Sequence, residues 1–464
     1  MSIPEVCVIR HELDMSLLLR LRLMRVISLH AIRCTLILGS MTYAMTGCHG
    51  LLDVSDPTLT RDKDIANASG ANARRLDVVN TVNDVVSATM VDVARLTDEW
   101  IQDAPATASL DFLDRRDSDG FENAIGTSDL HLGNLDQIYF RTSIAIPAVR
   151  AYTPDSLKGD FLAQLYALRG YAILQAAEDL CPGFPLNDVG ANNESLFGGP
   201  LTTDSAIALA STQLDSAVKY VHDSVQIAAL ARVVKGRALL DQGRYAEAAA
   251  VVAPVATQDV YQTDGTTNTL WARMRPGVWS RNGINFAVGD REGGNGLPFV
   301  SAHDPRIPLV LGGARATQRS DTLYKTTKYT SSNSPVTLAS GIEARLIEAE
   351  ARIQAADTSW FGILNTLRTT AIVPAMSEIT MMPTTQADQI DLLYSERGFW
   401  LYATGRRLGD LRRLIRNYGR DPEMVFPTGA YPLGGTYGSA TAIPFIFASQ
   451  RQSNPNILSG CTLR

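Results

Sequence analysis

The feature that most constrains the fold is a series of apolar residues at helical spacing in the first half of the chain. Val79, Val82, Val86, Met90 and Val93 recur at steps of three and four residues, so they lie on one face of a helix. The same spacing predicts helices over 71–100, 130–149, 157–179, 203–224, 226–242 and 245–255. A chain with this pattern is expected to be mainly α.

The last two of these helices resemble one unit of a tetratricopeptide (TPR) repeat. Gly236, Tyr245 and Ala248 fall at TPR spacing, and the connection between the two helices is short. Because glycine and alanine let helices approach closely, we expect an antiparallel helix hairpin here. We therefore predict a TPR-like helix-hairpin scaffold over residues 71–256.

The pattern changes after residue 256. Residues 257–340 are rich in Gly, Pro, Asn and aromatic side chains and show no sustained helical period. Long irregular stretches inside a compact domain are usually functional, so we expect ligand loops and a few short strands here. Helical spacing resumes over 338–355, 360–371 and 388–415. We expect the regions 71–256 and 257–464 to form one compact domain.

The composition and motif content exclude several classes of protein. Hydrophobic residues make up 45% of the 464 residues and charged residues 19%, which allows a large core and excludes a disordered chain. The formal net charge of −6 argues against nucleic acid as a partner. The sequence has no zinc-protease, P-loop, nucleophile-elbow or dinucleotide-binding motif. We therefore predict that the protein is not an enzyme and has no cofactor and no metal site.

Two acidic stretches leave alternatives open. The stretch 114–120 weakly resembles a calcium loop, but Arg115 would occupy the first ligand position, which favours an acidic turn. Asp98, Glu99 and Asp103 could form an acid/base pair, because the sequence does not set the distance between these carboxylates. A secreted glycoside hydrolase is therefore an alternative to a binding protein.

The N-terminal segment has the features of an export signal. Five arginines lie in residues 1–33, and an uncharged, mostly apolar stretch follows. Cys48, preceded by Thr46 and Gly47, resembles the lipidated cysteine of a bacterial lipobox. We predict a signal peptide over 1–47, with residues 1–23 a start-site error if Met24 is the true start. We also predict lipidation of Cys48 and a tether over 48–70, which would anchor the chain firmly to a membrane. A buried cysteine after a soluble leader is the alternative.

The five cysteines fit this interpretation. Cys7 and Cys34 would leave with the leader, and Cys48 would carry the lipid. Cys181 and Cys461 then remain in an exported chain, where disulfides form readily. We predict that these two pair, and two separate thiols are the alternative.

The most specific motifs lie near the C-terminus. They are Glu-Ala-Arg-Leu-Ile-Glu-Ala-Glu-Ala at 343–351, Leu-Asn-Thr-Leu-Arg at 364–368, Ser-Glu-Arg-Gly-Phe-Trp-Leu-Tyr-Ala-Thr-Gly-Arg-Arg-Leu-Gly-Asp-Leu-Arg-Arg at 395–413 and Asn-Pro-Asn at 454–456. In this order they resemble the SusD/RagB family of bacterial outer-membrane nutrient-binding lipoproteins. The chain departs from the family at Leu401, Ala403 and Thr404, where acidic residues are usual, and at Gly409, where an aromatic residue is usual.

The charged residues of the third motif have a structural interpretation. Glu396 and Arg397 lie one to two helical turns from Arg406, Asp410 and Arg413. On a helix that also carries large apolar residues, this spacing predicts a partly buried ion-pair network. Catalysis is the less favoured role for these residues.

The resemblance implies a SusD-like fold and a function. Family members capture a nutrient, here expected to be an oligosaccharide, and deliver it to a SusC-like TonB-dependent β-barrel transporter. The protein would be lipid-anchored in the outer membrane and face the cell exterior. A TPR-type scaffold lipoprotein that binds protein partners is the main alternative.

The resemblance also implies that exposed aromatic and planar polar side chains on loops hold the ligand. Sugar rings stack on indole and phenyl faces, and their hydroxyls need planar partners. Our candidates are Asp98, Trp100, Trp271, Trp279, Arg281, Asn282 and Phe286. The alternative for each tryptophan is a core residue beneath a loop. Residues 291–296 and 304–306 are expected to fix loop shape instead.

Overall fold

A computed structural model describes residues 65–102, 111–117, 128–190, 194–264, 268–274, 286–312, 322–445, 454 and 456. The described residues belong to one compact unit that begins at Asp64. The predicted signal peptide and Cys48 lie outside the described residues and stay predictions.

The first half of the unit is a series of helices in which each packs against the next. They are α1 (Ala68–Leu96), α2 (Ser128–Tyr152), α3 (Asp155–Asp179), α4 (Thr203–Tyr220), α5 (Val225–Asp241) and α6 (Tyr245–Val252). The Asn67 side chain caps α1 by accepting a hydrogen bond from the Gly70 amide at 3.0 Å. The predicted helices and the mainly α fold class are confirmed, although α1 ends before residue 100 because a short strand begins there.

Two glycines explain how closely the helix hairpins pack. A Cβ on Gly170 of α3 would lie 2.6 Å from Cγ of Leu214 on α4. A Cβ on Gly236 of α5 would lie 2.6 Å from Cγ1 of Val252 on α6. Both distances are shorter than van der Waals contact, so only glycine fits without a shift of the neighbouring side chain. The prediction that small residues permit the TPR-like hairpin is confirmed.

Short strands lie between helices in both halves, and in the second half they are more frequent. In the described residues the strands form antiparallel pairs: β1 (Trp100–Gln102) with β5 (Phe286–Val288), β2 (Asp188–Val189) with β3 (Ser195–Leu196), β4 (Val260–Gln262) with β8 (Thr337–Ser340), and β6 (Leu309–Leu311) with β7 (Tyr324–Thr326). The helices are α7 (Thr269–Met274), α8 (Gly341–Gln354), α9 (Trp360–Thr370), α10 (Gln386–Trp400), α11 (Arg407–Tyr418) and α12 (Pro422–Val425). Helix α8 packs against both α5 and α6, which joins the two halves.

The prediction of one helical segment over 388–415 is wrong. The chain breaks between α10 and α11, where Ala403 and Gly405 have φ values of +52° and +73°. A carboxylate from the segment between α1 and β1 holds this turn, because Oε1 of Glu99 accepts a hydrogen bond from the Ala403 amide at 2.7 Å. The predicted helix start at residue 338 is also early, because residues 337–340 form β8.

The predicted ion-pair network is confirmed, but its partners come from several elements rather than one helix. The pairs join Arg397 to Asp410, Arg413 to Asp410 and Glu350, Arg407 to Asp98, Arg406 to Glu178, and Glu396 to Arg306 and Arg368. Gly409 belongs to this arrangement, because a Cβ there would lie 3.0 Å from Cδ of Glu178. An aromatic residue at position 409 would therefore collide with a buried ion pair.

Cys181 follows α3 and takes part in a disulfide bond. Its amide donates a hydrogen bond to the carbonyl oxygen of Ile443 at 3.0 Å, which brings the C-terminal part of the chain alongside it. The partner cysteine lies outside the described residues, so the pairing with Cys461 stays a prediction. Among the described helices, none is both long enough and apolar enough to cross a membrane.

Candidate functional site

Three of the predicted ligand-binding residues lie inside the protein. Trp100 of β1 is 1% exposed, and its ring stacks on that of Phe286 of β5 with the centroids 5.7 Å apart. Asp98 is also buried and accepts two hydrogen bonds from Arg407, at 2.6 and 2.7 Å. This corrects the expectation that Asp98, Trp100 and Phe286 are exposed, because β1–β5 pairing and the Arg407 ion pair enclose them.

The other candidates are placed differently. Trp271 lies on α7, is half-buried, and packs against the main hydrophobic core. Its amide donates a hydrogen bond to Oδ1 of Asn268 at 2.8 Å, which begins the helix. Trp279, Arg281 and Asn282 lie outside the described residues. A ligand-binding role for these four residues stays a prediction.

The two loop segments expected to fix loop shape do so. In residues 304–306, Arg306 pairs with Asp304 and with Glu396 of α10. In residues 291–296, Asn295 donates hydrogen bonds to the carbonyl oxygens of Glu423 and Phe426. The described part of the acidic stretch 114–120 forms a turn, in which the Arg116 amide donates to the carbonyl oxygen of Leu113 at 3.0 Å.

A cleft of about 530 Å³ lies where the two halves of the unit meet. Strands β4 and β8 form one side, and the ends of α9 and α10 form the other. Its lining residues are Thr257, Gln258, Asp259, Val260, Lys328, Thr337, Leu338, Ser340, Ile342, Glu343, Thr370, Ala371, Trp400, Leu401, Thr404 and Arg406. Leu401, Thr404 and Arg406 are buried, whereas Gln258 and Thr370 are exposed and form the rim.

The aromatic member of the cleft is Trp400, the last residue of α10. Its side chain is half-buried, and the Arg306 guanidinium covers its ring at 5.0 Å from the centroid. Arg306 is itself fixed by Glu396, with Nη1 2.7 Å from Oε2. The Glu396 ion pair therefore positions Arg306, and the cation–π contact with Arg306 stabilises the position of the indole.

Lys328 contributes a cation to the same cleft. Its Nζ donates a hydrogen bond to the carbonyl oxygen of Tyr402, in the turn between α10 and α11. Burial lowers the pKa of Lys328 to about 8, against a smaller opposing effect of the Glu99 charge. Burial likewise raises the pKa of Glu99 to about 7, although the Ala403 amide donates to it. The turn between α10 and α11 therefore contacts both the buried Glu99 carboxyl group and the half-buried Lys328 amine.

The carboxylates that line the cleft are tied to other groups. Glu343 accepts hydrogen bonds from Arg237 on both of its oxygens, one of them at 2.7 Å. Oδ2 of Asp259 accepts a hydrogen bond from the Ala256 amide at 2.8 Å. Arg406 pairs with Glu178 at 3.1 Å, while its Nη2 has no hydrogen-bond partner among the described residues. The cleft therefore combines an indole with several hydrogen-bonding groups, which is suited to binding a polar ring.

Nothing in the described residues points to metal chemistry in the cleft. Within them, there is no group of three or more His, Cys, Asp or Glu side chains that could hold a metal ion. The cleft could not be recognised from the sequence because its residues are far apart in the chain. Trp400 was the one detectable signal, but it stands in a motif that suggested an internal ion-pair helix.

Of three comparisons with known proteins, the one with solved structures gives matches. No family model matches the sequence, and a search of curated proteins finds no match either. Solved structures do match. A SusD superfamily protein of Bacteroides thetaiotaomicron aligns with a TM-score of 0.64 and 12% identity, over 84% of this chain and 99% of that one.

Two further structures agree. A SusD-like carbohydrate binding protein of Bacteroides vulgatus has a TM-score of 0.62 and 14% identity, over 84% of this chain and 97% of that one. NanU of B. fragilis has a TM-score of 0.61 and 12% identity, over 88% and 99%. At such low identity the likeness concerns the fold, and it agrees with the order of the C-terminal motifs. The chain therefore has the SusD-like fold.

Proposed function

We propose that this protein captures an oligosaccharide at the cell surface and delivers it to a SusC-like TonB-dependent transporter in the outer membrane. The SusD-like fold supports the proposal, since one similar structure is described as a carbohydrate binding protein and another as a putative sugar binding protein. The lipobox-like sequence before Cys48 supports an anchored, exported chain.

The observation that carries the proposal is the cleft beside Trp400. Its volume of about 530 Å³ is within the range of small-molecule sites, roughly 300–1,000 Å³. The Trp400 indole lines the cleft and contacts the Arg306 guanidinium, and an indole ring can stack on the C–H face of a pyranose ring. Asp259, Gln258 and Lys328 supply hydrogen-bonding groups for the sugar hydroxyls. We propose that Trp271, Trp279, Arg281 and Asn282 make further contacts to a longer ligand.

Titration calorimetry with a panel of oligosaccharides tests the binding function. We expect binding without release of new reducing ends, and Trp400→Ala should weaken it at least ten-fold. Phe197→Ala is the matched control, because Phe197 is an aromatic residue 44% exposed and outside the cleft. Equal loss in the two variants would refute Trp400 as the stacking residue. Release of reducing ends would favour the glycoside hydrolase.

Anchoring and delivery need separate tests. In the native host, the wild-type chain should fractionate with the outer membrane, carry acyl chains on Cys48 by mass spectrometry, and co-purify with a large β-barrel. Cys48→Ala should move the protein out of the membrane fraction. Co-purification with other envelope proteins and no barrel would favour the TPR-type scaffold instead.

A further inference from the structure

Three residues that line the cleft carry hydrogen-bond donors that the described residues satisfy incompletely. Among the described residues, Lys328 Nζ donates to a single acceptor, the carbonyl oxygen of Tyr402, and an ammonium has three N–H groups. Arg406 is 4% exposed, and its Nη2 has no partner in the described part of the chain. Nε1 of Trp400 is likewise without a described partner. Arg406 Nη2 and Trp400 Nε1 are closed to solvent, whereas the half-buried Lys328 has N–H groups left for a ligand.

The lining carboxylates Glu343 and Asp259, and the Glu178 carboxylate that pairs with Arg406, each have a described partner. Glu343 is saturated by Arg237, and Glu178 beneath the cleft is paired with Arg406. Asp259 accepts a backbone amide. Lys328, in contrast, forms no ion pair with any described carboxylate, and Glu99 acts on it only at longer range. Because a half-buried ammonium without a counter-ion is costly, a bound anion would stabilise the site.

The position of Trp400 limits which anion fits. In a uronic acid the carboxylate is attached at C5 and projects from the edge of the pyranose ring. A ring stacked on the indole therefore keeps its carboxylate free to reach a cation in the neighbouring wall. Lys328 and Trp400 line the same cleft, so one sugar unit can contact both.

We propose that the cleft binds an acidic oligosaccharide, with a uronic-acid carboxylate paired to Lys328 and its sugar ring stacked on Trp400. This inference rests on the proposed capture of an oligosaccharide and names the class of that ligand. It assigns Lys328 as the residue that selects acidic over neutral sugars.

Calorimetry at pH 7 with matched pairs of ligands tests the inference. Each pair consists of a uronic-acid oligosaccharide, such as an oligogalacturonate or a glucuronate-containing oligomer, and its carboxyl-reduced neutral counterpart. At least one acidic member should bind about ten- to a hundred-fold more tightly than its neutral counterpart, the range expected for a charge-assisted hydrogen bond.

Variants test whether Lys328 in the cleft is responsible for the preference for acidic over neutral ligands. Lys328→Met should reduce the preference for the acidic member to less than three-fold, whereas Lys328→Arg should retain most of it. Lys219→Met removes the same charge from an exposed position on α4 and should leave the preference unchanged. Thermal melts show whether each variant is folded. If Lys328→Met does not fold, the ligand preferences of the wild type and of Lys328→Arg test the inference instead.

The outcomes separate the two proposals. If neutral oligosaccharides bind as tightly as acidic ones, the inference fails and oligosaccharide capture stands. If Lys328→Met keeps the full preference for the acidic member, the assignment of Lys328 fails. If no oligosaccharide of either kind binds, both the inference and the proposed function fail.

Discussion

A buried histidine between the first three helices makes the most quantitative prediction. His131 of α2 is 0% exposed and lies between Asp92 of α1 and Asp179 of α3. Its Nδ1 is 3.3 Å from Oδ2 of Asp92, and its Nε2 is 3.0 Å from Oδ2 of Asp179. A protonated imidazole in this position donates to both carboxylates and holds the three helices together.

The pKa of His131 sets the size of the effect. Burial alone would lower this pKa, but the hydrogen bonds and charges of Asp179 and Asp92 outweigh it and raise the pKa from 6.5 to about 9. Because the folded pKa is above the unfolded one, the stabilisation is fully present below pH 6.5 and is lost as the pH rises through 9. At 1.36 kcal/mol for each pKa unit, the contribution is about 3 kcal/mol.

We therefore expect His131→Gln to lower the free energy of unfolding more at pH 6.5 than at pH 9.5, with the gap between wild type and variant narrowing by about 3 kcal/mol. Urea denaturation followed by circular dichroism, repeated across this pH range, measures that gap. Other groups that titrate here, such as Lys328 and Glu99, are present in both proteins, so their effects largely cancel.

His222→Gln is the matched control. His222 is exposed and contacts Asp223 at 2.8 Å, so its hydrogen bonds are made in solvent. Its replacement should leave the unfolding curves of the wild type unchanged across the range. A gap between wild type and His131→Gln that stays constant from pH 6.5 to 9.5 would mean that His131 is neutral in the folded protein, and the reasoning would be refuted.

Two further changes test the packing and the ion pairs. Gly236→Ala should destabilise by about 1–3 kcal/mol, because its Cβ would lie 2.6 Å from Val252, whereas Gly362→Ala on α9 meets nothing within 4 Å and should be neutral or stabilise by about 0.5–1 kcal/mol. Arg237→Met should cost about 3–5 kcal/mol because it leaves the Glu343 charge buried without its partner, and adding Glu343→Met should recover part of that loss. Thermal and urea unfolding measure these changes in stability. Equal effects of Gly236→Ala and Gly362→Ala would contradict the packing prediction, and a double variant no more stable than Arg237→Met would contradict the ion-pair prediction.

Helices were predictable from the sequence because their signal is local. The apolar spacing of Val82, Val86 and Met90 depends only on neighbouring residues, and all three are buried in α1. The break between α10 and α11 was not predictable, because Glu99, which holds the turn at Ala403, is about 300 positions away in the chain. The ion-pair network has the same limit, since its charged residues could be recognised but their partners on other elements could not.

The site was less predictable than the fold because residue type does not determine burial. Trp100 and Trp400 are both large aromatic residues near charged neighbours, and sequence analysis assigned the first to a ligand loop and the second to a helix core. Pairing of β1 with β5 encloses Trp100, while Trp400 lies at the end of its helix where the chain turns away. Only the arrangement of several distant segments separates the two cases.

The position of the cleft follows from how the two halves of the unit are joined. Strands β4 and β8 pack on α5 of the TPR-like half, and the turn after α10 forms part of the cleft floor. Glu99, between α1 and β1, holds that turn, and Lys328 donates to it from the region after β7. Buried ion pairs of two lining residues, Glu343 with Arg237 and Arg406 with Glu178, join these segments, so we expect the cleft to be formed before a ligand binds. A preformed site loses little conformational entropy on binding, which would favour the oligosaccharide capture that we propose.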